Sequence, residues 1–194
     1  MSAPESFREL LEGRRVVPVV RELFADGETP LGVFRKLGLD GDGRVRDGAF
    51  LLESAEQGGI WSRYSFIGVS GFGLLSQTGD RATWTSDGLD ELRAFGGPVP
   101  AGPLDALQAL HARWQSPPVP GLPPLTGGLV GFIGWEAVRQ LERLPDAPPA
   151  EHAVPGQALV FVRELVALDH ATGTVHLIAT VLHDEEAPGA DALW

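Results

Sequence analysis

The chain has 194 residues, 43% of them hydrophobic and 21% charged, which is enough to bury one core. Its 15 basic and 26 acidic residues give a formal net charge of −11, which argues against nucleic acid and anionic membranes as partners. Cysteine is absent, no apolar run approaches the roughly 20 residues that span a bilayer, and the polar N-terminus lacks the apolar core of a signal peptide, so the cytoplasm is the expected compartment.

The first elements along the chain are a short helix and a strand. Phe7, Leu10 and Leu11 recur at helical spacing and predict an amphipathic opening helix. The run over residues 15–24 is rich in β-branched side chains and contains Pro18. Because proline has no N–H to donate within a sheet, this run predicts an edge strand or a bulged strand.

A second helix is predicted by its start and stop signals. Thr29 suits the N-cap and Pro30 the first helical position, because a threonine side chain accepts a backbone N–H and proline needs none there. Gly38 suits the end of the helix. The apolar stripe of this helix is predicted to consist of Leu31, Phe34 and Leu37.

Two strand-like runs, residues 49–55 and 61–68, form the centre of the sequence and are joined by a link that contains two glycines. Such a link favours an antiparallel hairpin. A carboxylate at Glu53, a hydroxyl at Ser54 and a guanidinium at Arg63 would then come together, as in a pocket for a small amphoteric ligand. The same residues also fit a solvated cross-strand ion pair and a serine that caps a turn.

The rest of the chain is dominated by further strand hairpins. The predicted elements are a hairpin of residues 71–76 and 81–85, a helix over 104–114, an extended proline-rich connection over 116–124, a glycine-rich strand over 126–132, a helix over 135–144, a second proline-rich loop over 145–155, and a closing hairpin of residues 158–168 and 174–182. No repeated alternation of strand, helix and strand occurs. The expected fold class is therefore α+β, with largely antiparallel sheets packed against each other and flanked by helices.

Two glycine-containing segments invite a ligand interpretation that their spacing does not support. In residues 127–134 the glycines match neither the dinucleotide fingerprint nor a P-loop, so close backbone packing between sheets is the favoured interpretation. The loop over residues 40–48 begins like a calcium loop, but Arg44 and Val45 replace an oxygen ligand and the obligatory glycine. We interpret this loop as a flexible turn.

Neither a metal site nor a catalytic group is predicted from the residue pattern. The five histidines do not place two ligands on one helical face, and no cysteine supports them. A Ser/His/Asp arrangement cannot be assembled with any specificity from this order of residues. The five tryptophans are most simply core or interface side chains.

Several long blocks of the sequence, in matching order and separation, resemble the N-terminal part of the anthranilate synthase component I family, whose members use chorismate. These blocks are residues 50–56, 63–68, 127–136 and 138–145, with residues 17–19 and 26–31 similar to the family's opening strand and first helix start. The resemblance covers nearly the whole chain. It implies two antiparallel sheets packed orthogonally, in a single domain over residues 1–194.

The resemblance also implies what this stretch of chain does not contain. In the family, the chorismate and magnesium sites lie in a C-terminal portion, which is expected beyond Trp194, so the 194 residues are expected to be truncated and inactive alone. Full-length members convert chorismate to anthranilate and pyruvate, with ammonia supplied by a glutamine amidotransferase subunit. No cofactor is expected in the present residues.

The resemblance further implies a role for the central hairpin in feedback inhibition by L-tryptophan. The block that contains Glu53 and Ser54 matches the stretch with which family members contact tryptophan, and Ser54 is the first choice, Glu53 the second and Arg63 the third. Ser54 would hydrogen-bond the polar end of the ligand, Glu53 would balance its ammonium group, and Arg63 would meet its carboxylate.

Two alternatives remain open on the sequence. The chain resembles, less closely, the N-terminal part of aminodeoxychorismate synthase component I, in which a bound tryptophan would be structural. It could also be a stand-alone ligand-binding module without an attached enzyme. Product analysis of the complete enzyme distinguishes the first alternative, and the gene sequence beyond codon 194 distinguishes the second.

Overall fold

The structure is a computed structural model that describes residues 3–53, 63–146, 152, 154–185 and 187–193. The described helices are α1 (Glu5–Leu11), α2 (Pro30–Leu37), α3 (Glu91–Phe95), α4 (Pro103–Trp114) and α5 (Ala190–Leu193), with a 3-10 helix over Trp135–Gln140. The described strands are β1 (Val16–Phe24), β2 (Phe50–Leu52), β3 (Tyr64–Thr78), β4 (Arg81–Thr85), β5 (Gly128–Ile133), β6 (Gln157–Asp169) and β7 (Thr174–Leu182). The predicted α+β class is confirmed.

The seven described strands belong to one hydrogen-bonded sheet, whereas the sequence predicted sheets in the plural. Its strand order is β1-β7-β6-β3-β2, with β4 paired to β3 and β5 paired to β6. The pairs β1–β7, β2–β3, β3–β4 and β6–β7 are antiparallel, as the hairpin pattern predicts. Strand β1 lies at one end of this order, which confirms that Pro18 marks an edge strand.

The chain divides into two compact units. Residues 1–71, 114–128 and 162–194 form the first, and residues 72–113 and 129–161 form the second. The first unit has one buried cluster of Val33, Ile67, Val166, Leu168 and Val175, and another of Ala3, Phe7, Leu11 and Val17. In the second unit, Leu75, Leu110 and Phe161 are among the largest fully buried side chains, and the Phe161 ring lies 5.2 Å from that of Phe72.

Helix α2 has the predicted ends but buries a different stripe. The Gly32 N–H donates to the Thr29 hydroxyl, Pro30 begins the helix and Gly38 caps its end. The side chain that enters the core is Val33, whereas Leu31 and Leu37 are exposed. Phe34 packs against the buried cluster as predicted, but the prediction was wrong for Leu31 and Leu37 because the Val33 side of the helix contacts the sheet. Spacing within eight residues does not distinguish the two sides.

Strand β3 is continuous through glycines that divide the sequence pattern into two runs. A Cβ atom at Gly68 would lie 2.1 Å from the Phe50 ring, and one at Gly73 would lie 2.3 Å from the Trp84 ring. An aromatic side chain of the neighbouring strand therefore covers each glycine. The glycines mark sites of close side-chain approach instead of breaks in the strand.

In the second glycine-rich stretch, residues 127–134, Gly131 and Gly134 lie close to backbone atoms instead of aromatic rings. A Cβ atom at Gly131 in β5 would lie 1.9 Å from the Ala158 carbonyl oxygen in β6, and the Gly134 N–H donates to the Gly156 carbonyl at 2.7 Å. The close backbone approach predicted for residues 127–134 is confirmed, but the prediction that it lies between sheets was wrong, because β5 pairs with β6 within one sheet. The following helix is a 3-10 helix that ends at Gln140, shorter than the predicted range 135–144.

One helix was not predicted. The Asp90 carboxylate accepts the Arg93 N–H at the start of α3, and Gly96 ends the helix in the left-handed region with φ 78°. Both cap signals are present in the sequence, but α3 has only five residues and no recurring apolar face marks it. By contrast, the predicted helix over 104–114 and the closing hairpin match α4, β6 and β7 closely.

Candidate functional site

The predicted ligand residues lie on or next to the β2–β3 strand pair. Glu53 directly follows β2 and is exposed, Arg63 directly precedes β3, and Ser54 lies outside the described residues. Strands β2 and β3 pair antiparallel, with Phe50 opposite Gly68 and Leu52 opposite Phe66. The predicted antiparallel pairing of the two runs is therefore confirmed for their described part.

One face of this strand pair is directed into the protein. Leu51 lies opposite Ile67, and both contact the buried cluster of the first unit. Ser65 lies two residues before Ile67 on the same strand and is 1% exposed. Because side chains alternate along a strand, Ser65 shares the inward face with Ile67. Arg63 continues this alternation where the strand begins, and its side chain is 49% exposed.

Arg63 forms a bidentate ion pair with Asp169, the last residue of β6. Its Nε donates to Asp169 Oδ1 at 3.0 Å and its Nη2 donates to Oδ2 at 2.6 Å. The Asp169 side chain is only 3% exposed, and its Oδ1 also accepts the Ala171 N–H at 3.0 Å. The carboxylate that Arg63 meets in the structure thus belongs to the chain itself.

The next residue, His170, makes two further contacts with the same stretch of β3. Its backbone N–H donates to the Arg63 carbonyl at 2.8 Å, and its Nε2 lies 2.8 Å from the Ser65 hydroxyl. The Arg63 guanidinium also stacks on the Tyr64 ring, 4.9 Å from its centroid. We call Arg63, Ser65, Asp169 and His170 the turn clamp, because the turn after β6 holds the start of β3 through them.

The turn clamp changes the acidity of its members. The hydrogen bonds from Arg63 are the largest influence on Asp169 and lower its pKa to about 2, opposed by burial and reinforced by the Ala171 N–H. The same bond raises the pKa of Arg63 above its usual value. Burial, and then the Asp169 charge, raises the pKa of Tyr64. At neutral pH the clamp therefore contains an ionised carboxylate and an ionised guanidinium, and the adjacent Tyr64 phenol is neutral.

The clamp predicts how stability depends on pH. Asp169→Asn is expected to destabilise the protein at pH 7 by about 1 to 2 kcal/mol, because the pKa falls from 3.8 to about 2 and solvent at half-exposed Arg63 weakens the pair. A carboxyl whose pKa is lowered by folding stabilises the folded state at every pH above the pKa that it has in the unfolded chain. The difference between wild type and variant is thus expected to shrink below pH 4 and to vanish only below about pH 2, where the folded-state carboxyl is protonated.

Urea unfolding at pH 7, 5, 4 and 3 measures this difference. The matched control is Asp87→Asn, which neutralises an exposed carboxylate in a turn and is expected to change stability by less than about 0.5 kcal/mol at every pH. A destabilisation by Asp169→Asn that is the same at pH 3 and pH 7 would show that the ion pair is not its cause.

Although the clamp contains a serine, a histidine and an aspartate, its geometry is not that of a hydrolase triad. The Asp169 oxygens bind Arg63 and Ala171, and Ser65 is 1% exposed, so a substrate has no access to its hydroxyl. Within the described residues, no group of three histidine or acidic side chains could hold a metal ion. The arrangement acts as a structural connection between β3 and β6.

An open apolar groove of about 480 Å³ lies elsewhere in the first unit. Its lining residues are Val19, Val20, Arg21, Val69, Glu164, Leu165, Val166, Leu177, Ile178 and Ala179. The Ser70 hydroxyl donates to Glu164 at 2.6 Å. Neither Glu53 nor Arg63 lines this groove, so it is separate from these two predicted ligand residues.

Sequence reasoning missed Asp169 and His170 as part of this arrangement. It treated residues 169–173 only as the link of the closing hairpin, and Arg63 only as a partner of a ligand. One signal was available: Asp169 directly follows the apolar run Leu165–Leu168, and a carboxylate at the end of a buried strand needs a cationic partner. The sequence did not show that this partner lies 106 residues earlier.

Three curated relatives that match the chain all have the same name. No family model matches the chain. The chain is 41% identical to anthranilate synthase component 1 of Mycolicibacterium smegmatis over 92% of its own length and 32% of the relative. The corresponding protein of Arthrobacter globiformis is 41% identical over 98% of the chain and 34% of the relative. That of Neisseria meningitidis serogroup B is 32% identical over 92% of the chain and 35% of the relative.

A solved structure supports the fold. The crystal structure of anthranilate synthase component I from Streptococcus pneumoniae matches with a TM-score of 0.51 and 19% identity, covering 89% of this chain and 34% of that one. The chain thus spans about a third of the length of the curated relatives that it matches. Within the described residues, no helix combines the length and apolar composition that a membrane span requires.

Proposed function

The chain belongs with the N-terminal region of anthranilate synthase component I, and on that premise we propose that it is the L-tryptophan-binding, feedback-regulatory part of such an enzyme. The full-length enzyme would convert chorismate, with ammonia or glutamine, to anthranilate and pyruvate in tryptophan biosynthesis. The 194 residues alone would not carry out this reaction.

The observation that carries the proposal is the β2–β3 pair. Its register places the end of β2, with Glu53 and then Ser54 next in the chain, beside the start of β3. Exposed Glu53 is available to balance an ammonium group. Ser54 would hydrogen-bond the polar end of the amino acid, as the family resemblance implies.

Arg63 has a more specific role in this proposal than the sequence indicated. A guanidinium has five N–H donors, and the pair with Asp169 uses those on Nε and Nη2. Asp169 therefore fixes the plane of the guanidinium. Nη1 makes no hydrogen bond to the part of the chain that the structure describes, and it would serve as a donor for a ligand carboxylate. A guanidinium held in one orientation loses less conformational entropy when it binds.

The exposed apolar side chains of the second unit support a larger enzyme. Trp135 is 87% exposed and Leu141 is 76% exposed, and Phe132 and Ile133 of β5 are each about half exposed. Neighbouring exposed apolar residues of this size indicate a contact surface. The C-terminal chorismate-binding portion of the enzyme would cover this surface and complete the tryptophan pocket.

The magnesium site and the amidotransferase contact are assigned to the full-length enzyme. Among the described residues no group of three histidine or acidic side chains could hold a metal ion. As the family resemblance implies, we place the magnesium ligands in the C-terminal portion of the full-length enzyme. When bound in the C-terminal portion, magnesium would neutralise carboxylate charge on chorismate. A glutamine amidotransferase subunit would supply the ammonia.

Calorimetric titration of L-tryptophan into the 194-residue chain and into the full-length enzyme tests the proposal. Saturable binding is expected for the full-length enzyme, and weaker binding for the 194 residues, because part of the pocket wall would be missing. D-tryptophan is the matched control, since it has the same indole and charges in the wrong arrangement. Absence of L-tryptophan binding by the full-length enzyme would contradict the proposal.

A further inference from the structure

The turn after β6 holds the start of β3 through both backbone and side chains. Asp169 binds the Arg63 guanidinium with two hydrogen bonds, and His170 binds the Arg63 carbonyl and the Ser65 hydroxyl. Asp169 is anchored in turn by the Ala171 N–H. Contacts from two consecutive residues leave the backbone at residues 63–65 little freedom to move.

The position of β2 depends on this part of β3. Strand β2 has three residues, pairs with β3 in the described sheet and stands at the end of the strand order. Leu52 lies opposite Phe66, one residue beyond Ser65. A short edge strand contributes few hydrogen bonds of its own, so its placement follows that of its neighbour. Glu53 comes immediately after this strand.

From this geometry we infer that Asp169 and His170 are positioning residues for the proposed tryptophan site. They hold β3 so that Glu53 and Arg63 keep the arrangement that binds the inhibitor, without contacting it themselves. The inference rests on the proposed function and deepens it. It assigns a regulatory role to a turn that is more than 100 residues from the ligand block in the sequence.

The half exposure of Arg63 explains why a positioning residue is needed. Its side chain is 49% exposed, so without Asp169 it would sample many rotamers in solvent. The 3% exposure of the Asp169 side chain shows that the other half of the pair is held in place by the protein. Removal of the Asp169 charge therefore releases Arg63 and leaves the apolar core around Ile67 and Val166 unchanged.

The test uses tryptophan inhibition of the full-length enzyme. Asp169→Asn is expected to raise the tryptophan concentration for half inhibition by about 10-fold, within the range of ordinary allosteric couplings. Without tryptophan, kcat and the KM for chorismate are expected to stay within about 2-fold of wild type, since positioning of an inhibitor site does not alter the chemical step. His170→Ala, which keeps the backbone bond to Arg63, is expected to have a smaller effect of the same kind.

The matched control is Asp191→Asn. It breaks another aspartate–arginine pair of the first unit, in which Asp191 binds Arg8 and the Ala3 N–H far from β3 in the sheet order. Tryptophan inhibition is expected to be unchanged in this variant. An equal rise in the half-inhibitory concentration for Asp191→Asn would overturn the inference, because any loss of stability would then have the same effect.

A double-mutant comparison distinguishes positioning from general weakening. If Asp169 acts through Arg63, the double variant Arg63→Gln/Asp169→Asn is expected to raise the half-inhibitory concentration no more than Arg63→Gln alone. Independent, multiplying effects of the two substitutions would overturn the inference. A fall in kcat that parallels the loss of inhibition would overturn it as well.

Hydrogen exchange separates failure of this inference from failure of the proposed function. In the 194-residue chain, Asp169→Asn is expected to speed exchange of the amides at residues 50–52 and 64–68, whereas Asp191→Asn is not. Unchanged exchange there would overturn the positioning role even if Ser54 binds tryptophan. Faster exchange, together with inhibition that is insensitive to Ser54, would support the positioning of β2 and reject tryptophan as the ligand.

Discussion

Ser54→Phe is expected to abolish tryptophan inhibition of the full-length enzyme and to leave its turnover without tryptophan largely intact. The phenyl ring would occupy the space of the ligand's polar end and remove the hydroxyl that is proposed to bind it. An allosteric coupling of about 1 to 3 kcal/mol corresponds to a change of roughly 5- to 150-fold in affinity, all of which would be lost. Initial rates at increasing tryptophan concentrations measure the effect.

Two further variants control this result. Ser54→Ala removes the hydroxyl but adds no bulk, so inhibition is expected to weaken without disappearing. Thr83→Phe places the same ring on an exposed position of β4 in the second unit and is expected to leave inhibition unchanged. Inhibition of the Ser54→Phe enzyme at wild-type tryptophan concentrations would refute the assignment of Ser54.

Gly131→Ala is expected to cause the largest loss of stability. The new Cβ atom would lie 1.9 Å from the Ala158 carbonyl oxygen and 2.9 Å from the Leu159 Cα, and both are backbone atoms that no side-chain rotation can move. The strands β5 and β6 must separate to relieve this overlap, at a cost of about 3 kcal/mol or more. Thermal unfolding is expected to show a midpoint lowered by about 10 °C.

A graded series of glycine substitutions in the same unit tests the cause. At Gly134 the added Cβ would lie 3.1 Å from the Gly156 carbonyl oxygen, so a loss of about 1 kcal/mol is expected for Gly134→Ala. At Gly97 nothing lies within 4 Å, and Gly97→Ala is expected to change stability by less than about 0.5 kcal/mol. Equal losses at all three positions would show that close approach is not the cause, since the backbone-entropy effect of Gly→Ala is stabilising.

If the positioning role of the turn clamp is correct, feedback control depends on a part of the chain that contacts no ligand. Asp169 and His170 lie in the link of the closing hairpin, whose strands also contribute to the buried cluster of the first unit. Changes in that hairpin could thus alter tryptophan sensitivity through β3. Inhibitor-resistant variants would then be found in residues 169–171 as well as near Ser54.

Local signals were sufficient to predict most of the elements. Thr29 and Pro30 identified the start of α2 because a cap and a fixed φ act within one turn of helix. The runs dense in Val, Leu and Ile identified β6 and β7 because such strands are buried on at least one face. Pro18 identified an edge strand because a missing N–H has the same consequence in any fold.

Other features required contacts between distant segments. The sequence pattern separated a run that ends at Gly68 from one that begins at Gly71, yet β3 continues through both, with the Phe50 ring covering Gly68 and the Trp84 ring covering Gly73. The stripe of α2 includes Val33 because the sheet contacts that side of the helix. Glu53 and Arg63 were predicted as ligand residues from the family resemblance, whereas the pairing of Arg63 with Asp169 had no local signal.

The amino-acid sequence by itself thus determined where most strands lie and which strands pair across a short turn. These features depend on propensities and turns within a few residues. The folded chain adds the choice among partners of similar chemistry. Arg63 is compatible with any of the 26 acidic residues in the chain, and it pairs with Asp169 because the sheet order places β6 beside β3. Charge attracts without regard to sequence distance, so only the assembled sheet selects the carboxylate that orients this guanidinium.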